Sequence, residues 1–300
     1  MLIQTRISLA ALLLSASLLI AGCASAPGVA PPPTALPKPP PKLGLALGGG
    51  AARGFAHVGV IQVLEENGIH PDLVVGTSAG SLVAALYASG KTGAQLQQVA
   101  ETMEEAAFTD WTLPLFNRGM LRGEALARYV NTQVAGRLLE AMPMPLGVVA
   151  TDLGTGQGVL FQRGDTGTAV RASSAVPAVF QPVKIGRQDY VDGGLVSPVP
   201  VRFARQMGAD VVVAVDISSS PENNSANDTL QILLQTFAIM GKTINSYELR
   251  DAEIIVKPAL GNMKGADFGS RKAAIDAGRV AMQAALPKLK ALLNASAKVN

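Results

Sequence analysis

The sequence is poor in cysteine, histidine and charged side chains. Cys23 is the single cysteine among 300 residues, so no disulfide can form within the chain. Histidine occurs only twice, which leaves few candidates for a general base. Charged residues make up 16% of the chain, and its net charge of +3 comes from scattered basic residues. This pattern gives no support to a nucleic-acid-binding surface, and a hydrophobic fraction of 48% indicates a globular protein.

The first 22 residues have the pattern of a bacterial lipoprotein signal peptide. Arg6 precedes an apolar run that is short for a membrane-spanning helix, and "LIAGC" places small residues directly before Cys23. The resemblance implies cleavage before Cys23 and lipidation of that residue; the alternative is an uncleaved anchor helix. Ala24 stands where an aspartate would favour inner-membrane retention, so we expect an outer-membrane anchor that faces the periplasm of a Gram-negative bacterium.

A proline-rich tether is predicted for residues 23–41, between the lipidated cysteine and the folded domain. Eight of the fifteen residues in 27–41 are proline, a composition that favours an extended polyproline helix over a packed core. The domain is predicted to fill residues 42–300. Its motifs lie in about 43–218, and its C-terminal part, about 228–300, is expected to be helical.

Apolar runs and helical spacings alternate along this domain, which predicts an α/β fold with a mainly parallel sheet flanked by helices. The predicted strands are 42–49, 71–76, 145–153, 159–162, 209–217 and 253–258. The predicted helices are 52–68, 78–90, 94–108, 121–142, 229–252 and 271–294, the last interrupted at Pro287.

The stretch "GTSAG" places Ser78 between a predicted strand and a predicted helix. A chain that turns so sharply crowds its own backbone, and glycine at the flanking positions Gly76 and Gly80 relieves the crowding. The start of the next helix favours a developing negative charge. The context is that of a nucleophile elbow, with Ser78 as the nucleophile.

The base that would activate Ser78 is predicted to be a carboxylate. Both histidines, His57 and His70, precede the serine, so the α/β-hydrolase order of Ser, acid and His is impossible. Among carboxylates that end a strand, Asp192 in "YVDGG" is preferred, because the two glycines after it permit close approach. Asp152 and Asp216 are rivals, and such residues often only bind loop amides.

The stretches "GGGAARG", "GTSAG" and "DGG", in this order, resemble the patatin-like phospholipase family, as do "ATDLGTG", "ASSAVPAVFQPV" and "GADVVVAVDIS". The resemblance covers about residues 42–265. It implies a three-layer patatin-like fold, a Ser78–Asp192 dyad, a lipid or phospholipid substrate, and no cofactor or metal. The residues matching the oxyanion loop are Gly49, Gly50, Ala51, Ala52, Arg53 and Gly54, and those of the aspartate motif are Gly193 and Gly194.

The oxyanion loop departs from the family pattern at Ala51, where a third glycine is usual. Alanine keeps the amide N–H but disfavours a positive φ. Arg53 is predicted either to attract a phosphate headgroup or to hold the loop in place. The "ASSAVP" stretch, residues 172–177, matches a family motif but receives no catalytic role.

The predicted function is serine-dependent lipid acyl hydrolysis of the phospholipase A or esterase type, through an acyl-enzyme. A dyad predicts that the acid limb of kcat/KM reports a carboxylate rather than a group near 6.5. The alternatives are an acyltransferase with the same dyad and a lipid-binding or scaffolding lipoprotein. A nucleotide-binding protein is a further alternative, but "GGGAARG" lacks the Gly-Lys-Ser/Thr of a Walker loop.

Overall fold

The computed structural model describes residues 40–104, 110, 118–221, 226–261 and 263–298. The predicted signal peptide, Cys23 and nearly all of the tether lie outside the described residues, as does the end of the helix predicted for 94–108. Within the described ranges, no helix combines the length and the apolar character that crossing a bilayer requires.

Strands and helices alternate along most of the described chain. The strands are β1 (Leu43–Leu47), β2 (Leu73–Thr77), β3 (Gly119–Leu121), β4 (Leu146–Asp152), β5 (Gly158–Phe161), β6 (Ala178–Phe180), β7 (Val183–Ile185), β8 (Gln188–Asp192), β9 (Val211–Val215) and β10 (Ile254–Val256). The α-helices are α1 (Phe55–Glu66), α2 (Ala79–Ala88), α3 (Gly93–Thr102), α4 (Glu124–Gln133), α5 (Thr166–Ser173), α6 (Val201–Gln206), α7 (Thr229–Glu248) and α8 (Arg271–Lys298). The 3₁₀ turns Ala51–Gly54 and Gly193–Leu195 precede α1 and follow β8.

Eight strands form one sheet in the order β10-β9-β1-β2-β4-β8-β7, with β5 also paired to β4. The five strands from β10 to β4 are parallel. β5 and β8 run antiparallel to β4, and β7 runs antiparallel to β8. Strands β3 and β6 form a separate parallel pair. The prediction of a mainly parallel sheet is confirmed.

Helices cover both faces of the sheet because its central strands are apolar on both sides. In β1, Leu45 and Leu47 join the cluster that contains α1, α2 and α8. Ala46 points the other way and packs with Val201 and Phe203 of α6. The three layers leave the carboxyl ends of β1, β2, β4 and β9 at one edge of the sheet, which is where parallel α/β sheets place their sites.

The closing helix passes through Pro287, and the predicted interruption there is wrong. Pro287 is exposed within α8, which continues to Lys298. Met282 and Leu289 on either side of it are fully buried. Core packing on both sides offsets the lost backbone hydrogen bond.

The single helix predicted for 121–142 is also wrong. Residue 121 ends β3, and α4 begins only after Gly123, whose φ of 76° is outside the helical range. The helix stops before Ala135 and Gly136, with φ values of 54° and 68°. These three left-handed residues divide the segment, although its apolar spacing favours a helix.

Candidate active site

Ser78 is the only residue between β2 and α2, and its backbone is strained. Its φ of 53° and ψ of −124° lie in a region that non-glycine residues rarely adopt. Such a conformation costs of order 1–3 kcal/mol, and the surrounding fold must hold it in place. The side chain is partly exposed at the sheet edge. The structure therefore places Ser78 as a nucleophile elbow requires.

The two glycines that flank Ser78 have no room for a side chain. A Cβ atom on Gly76 would lie 2.4 Å from the carbonyl oxygen of Gly80, and one on Gly80 would lie 2.1 Å from the carbonyl oxygen of Leu47. Both contacts are with backbone, which cannot move aside without distorting the sheet. The tight turn at Ser78 thus depends on glycine at both positions.

Strand β4 brings Ser78 and Asp192 together. It pairs with β5 along one edge, and β2 and β8 follow each other along its other edge. β2 ends at Thr77, opposite Val149, and β8 runs the opposite way to end at Asp192, opposite Ala150. Because the two strands meet end to end, Asp192 lies beside Ser78.

The Asp192 carboxylate is buried beside the candidate nucleophile. It is 7% exposed, its Oδ1 accepts a hydrogen bond of 2.6 Å from the Gly194 amide, and the Ser78 side chain lies close enough to affect its pKa. Burial raises the pKa of Asp192 to about 6, and the Gly194 amide and the Ser78 side chain oppose that rise. The carboxylate is thus a stronger base than an ordinary aspartate and is still ionised at neutral pH.

Three groups that the sequence reasoning missed hold the backbone of these two residues. The Ser173 hydroxyl accepts a 2.8 Å hydrogen bond from the Ser78 amide. The Ala175 carbonyl accepts one of 3.0 Å from the Asp192 amide, and the Thr151 hydroxyl donates one of 2.8 Å to the Asp192 carbonyl. The only signal for the first two was the "ASSAVP" stretch.

The glycine-rich loop runs from the end of β1 against the elbow. A Cβ atom on Gly49 would lie 3.1 Å from the Cβ of Ser78, and one on Gly54 would lie 3.0 Å from the Cβ of Ala79. The loop therefore packs against Ser78 at one end and against Ala79, the next residue, at the other.

Two amides of this loop are available to a bound ligand. The amides of Gly49, Ala52 and Arg53 donate to carbonyl oxygens of the protein at 2.9 to 3.2 Å. Among the described residues, the amides of Gly50 and Ala51 have no such acceptor. Ala51 has a φ of 50°, so the loop takes the left-handed turn here with alanine in place of glycine. Of the six predicted oxyanion residues, Gly50 and Ala51 are thus two whose amides are free to bind a ligand, whereas the amide of Gly54 lies inside the 3₁₀ turn Ala51–Gly54.

His57 supports the loop from beneath and does not face the site. Its ring is fully buried, with Nε2 2.8 Å from the carbonyl oxygen of Gly48. Because a carbonyl can only accept, Nε2 carries the proton in this contact. Burial lowers the pKa of His57 to about 4, so the ring is neutral at physiological pH. His70 lies exposed in the loop before β2.

The rival carboxylates bind loop amides. Asp152 accepts hydrogen bonds from the amides of Gly154 and Thr155 at 2.8 and 3.0 Å. Asp216 accepts one of 3.0 Å from the Ser218 amide. Within the described residues, no hydrogen bond joins either carboxylate to the candidate nucleophile.

Arg53 extends from the loop toward the segment before α8. Its Nη1 lies 3.5 Å from the carbonyl oxygen of Met263, and the neighbouring Ala52 amide donates to the Gly265 carbonyl at 2.9 Å. Burial lowers the pKa of the Arg53 guanidinium from its ordinary value, and Asp216 opposes this shift. These contacts favour the role of holding the loop.

Comparison with known sequences gives one family. The sequence pattern of patatin-like phospholipases matches residues 45–205, which is more than half of the chain. One uncharacterized NTE family protein of Mycobacterium tuberculosis is 35% identical over 181 residues, covering 60% of this chain and 50% of the relative. Another from the same species is 31% identical over 274 residues, covering 81% of this chain and 46% of the relative. The chain thus spans about half the length of these curated relatives.

A mouse protein and a solved crystal structure are also similar to this chain. The mouse patatin-like phospholipase domain-containing protein 6 is 32% identical over 190 residues, covering 61% of this chain and 14% of that protein. The crystal structure of VipD from Legionella pneumophila matches with a TM-score of 0.54 and 15% sequence identity. That match covers 83% of this chain and 67% of VipD, and at this identity it bears on the fold alone.

Proposed function

The chain belongs to the patatin-like phospholipase family, and from this premise we propose that it is a serine lipid acyl hydrolase of the phospholipase A or esterase type. Ser78 is the proposed nucleophile and Asp192 the proposed base. The observation that carries the proposal is the placement of Ser78 beside the buried Asp192 carboxylate, where β2 and β8 meet end to end along β4. Membrane lipids with ester-linked acyl chains are the proposed substrates.

The reaction begins when the Ser78 Oγ attacks the ester carbonyl carbon and its proton passes to Asp192. Collapse of the tetrahedral intermediate breaks the bond to the leaving alcohol, which takes the proton back from Asp192. An acyl-enzyme remains on Ser78. Asp192 then removes a proton from a water molecule that attacks the acyl carbon, and the fatty acid leaves as Ser78 regains its hydroxyl.

The loop after β1 is proposed to stabilise the negative charge that develops on the carbonyl oxygen. The free amides of Gly50 and Ala51 are the proposed donors, and α2 begins directly after Ser78 with its positive dipole end. Loss of one such donor typically lowers a rate by about 10²–10³-fold. A dyad without histidine depends on these donors, because even the strengthened Asp192 is a modest base.

An acyltransferase would use the same residues, with another alcohol in place of water, and a lipid-binding scaffold would use the same surface without turnover. The strained backbone of Ser78 and the buried ionisable Asp192 favour an enzyme, because both features cost stability that a scaffold has no reason to lose. Analysis of products with and without an added alcohol acceptor separates hydrolysis from transfer.

The pH dependence of kcat/KM tests the base. We expect the rate to rise with pH through a limb centred near 6, because the ionised Asp192 is the active form and burial raises its pKa to about 6. This value lies close to that of an ordinary histidine, so the position of the limb does not identify the base by itself.

The matched variant for this test is His57→Gln. Glutamine keeps an N–H donor for the Gly48 carbonyl, and His57 itself titrates near 4, so the limb should stay near 6. A limb that disappears in His57→Gln, with the fold intact, would show that histidine is the base and would overturn the dyad.

We further propose that lipidated Cys23 anchors the protein at the outer membrane, facing the periplasm. The support is the "LIAGC" sequence, the lone cysteine and the proline-rich stretch that follows it. Metabolic labelling with radioactive palmitate in a Gram-negative host should mark the full chain and should not mark Cys23→Ser. Equal labelling of both proteins would contradict the anchor.

A further inference from the structure

The C-terminal end of α5 contacts the backbones of both proposed catalytic residues. Ser173 is the last residue of α5, and its hydroxyl meets the Ser78 amide at 2.8 Å. Two residues later, the Ala175 carbonyl accepts the Asp192 amide at 3.0 Å. One short segment thus spans the nucleophile and the base.

The Ser173 hydroxyl is oriented by a second hydrogen bond. It donates to the Val149 carbonyl of β4 at 2.5 Å, and the side chain is fully buried. A hydroxyl has one proton to donate. Because that proton goes to Val149, a lone pair is what faces the Ser78 N–H, and the hydroxyl is fixed as an acceptor for the elbow.

Strand β4 also fixes the position of Asp192. Val149 lies opposite Thr77 in the sheet, and its neighbour Ala150 lies opposite Asp192. The Ser173 hydroxyl therefore links Ser78, which follows β2, to strand β4. The same strand pairs with Asp192 at the end of β8. The distance between nucleophile and base is set by β4 and by this hydroxyl together.

Resting on the proposed dyad, we propose that Ser173 is a positioning residue that keeps Ser78 in its bent conformation and its hydroxyl against Asp192. In a dyad no histidine ring stands between the serine and the carboxylate. Proton transfer therefore depends directly on the distance between Ser78 and Asp192. A misplacement of about 1 Å can lower a rate by about 10²-fold. The hydrogen bond also engages the Ser78 amide, which leaves oxyanion binding to the loop.

The test compares Ser173→Ala with Ser174→Ala in the full chain. Ser174 is half-buried, and no hydrogen bond of its hydroxyl is seen among the described residues. For Ser173→Ala we expect kcat for a soluble ester to fall by about 10- to 100-fold, with KM within about 2-fold. The acid limb should move to higher pH, because Asp192 loses the Ser78 side chain that lowers its pKa. For Ser174→Ala we expect both constants within about 2-fold of the parent.

The rate at which an alkylphosphonate ester modifies Ser78 should fall with kcat, because it measures the nucleophile without a lipid-binding step. Thermal unfolding verifies the fold of each variant. If Ser173→Ala does not fold, Ser173→Cys replaces it, and the same loss of kcat is expected because a thiol accepts hydrogen bonds weakly.

Three results overturn the inference: an unchanged kcat in a folded Ser173 variant, an equal loss in Ser174→Ala, or a rise in KM with kcat preserved. If the parent protein itself is not modified at Ser78, the proposed function fails and the inference fails with it. If the parent is modified and the Ser173 variant is modified at the same rate, the inference alone fails.

Discussion

Replacing Ser78 with alanine is expected to lower kcat/KM for an ester substrate by about four orders of magnitude. Loss of the nucleophile from a comparable serine enzyme removes nearly all acceleration, leaving what the oxyanion site and binding supply. The elbow should survive, because alanine has the same backbone requirements as serine at a φ of 53°. Steady-state hydrolysis of a soluble ester by the full chain measures the effect.

Ser89→Ala is the matched control for this change. Ser89 follows the last residue of the same helix, and its hydroxyl donates to the Leu86 carbonyl at 2.7 Å. Activity within about 2-fold of the parent is expected for it, because it lies at the opposite end of α2 from the site. More than about 1% residual activity in Ser78→Ala, after exclusion of contaminating esterases, would mean that another residue attacks the ester.

Replacing Asp192 with asparagine is expected to lower kcat by about 10³- to 10⁴-fold and, at the same time, to stabilise the fold. The rate falls because the amide cannot take the proton from Ser78. The shape is preserved, because asparagine keeps an oxygen that can accept from the Gly194 amide. One substitution thus separates the chemical role of the carboxylate from its structural cost.

The gain in stability follows from the pKa of Asp192, which rises from 3.8 in an unfolded chain to about 6 in the fold. Below about pH 4 the carboxyl is protonated in both states, and its burial carries no ionic cost. Between 4 and 6 the unfolded state loses its proton first, so stability falls as pH rises. Above 6 the cost is constant at about 3 kcal/mol.

Urea unfolding at pH 8 and pH 4 measures this gain. Asp192→Asn should raise the free energy of unfolding by up to about 3 kcal/mol at pH 8, and the gain should fade at pH 4. Asp152→Asn is the control: it also removes a buried strand-end charge, but two loop amides compensate that charge, so no gain is expected. A loss of stability for Asp192→Asn at pH 8 would contradict a base whose pKa is raised by burial.

The central strands could be predicted because their signal is local. β1, β2, β4 and β9 are short, mainly apolar runs with glycine or aspartate near their carboxyl ends, and each lies in the interior of the sheet. Helix α5 was missed, because "TGTAVRAS" has few apolar residues, and it forms because Asp165 caps it by accepting from the Thr168 amide. At Pro287 the sequence predicts an interruption that does not occur. Packing partners distant in sequence decide whether a helix continues through a proline.

Part of the candidate site could likewise be predicted from the sequence, and part could not. Ser78 follows β2, Asp192 ends β8, and both lie within two residues of glycine, so each could be proposed from the sequence alone. Their direct contact depends on β2 and β8 sharing one edge of β4, and an antiparallel strand inserted after a parallel one leaves no local signature. The pKa of Asp192 depends on burial by the whole fold. The sequence predicts a limb that reports a carboxylate rather than a group near 6.5, and burial in the fold moves the expected position of that limb to about 6.

The most direct test of the dyad is the intact mass of the full chain after reaction with an alkylphosphonate ester, followed by mapping of the modified peptide. We expect one adduct per chain, located on Ser78, absent from Ser78→Ala and slow to form in Asp192→Asn. An unmodified parent protein with an intact fold, or an adduct that forms equally fast in Asp192→Asn, would contradict a serine activated by Asp192.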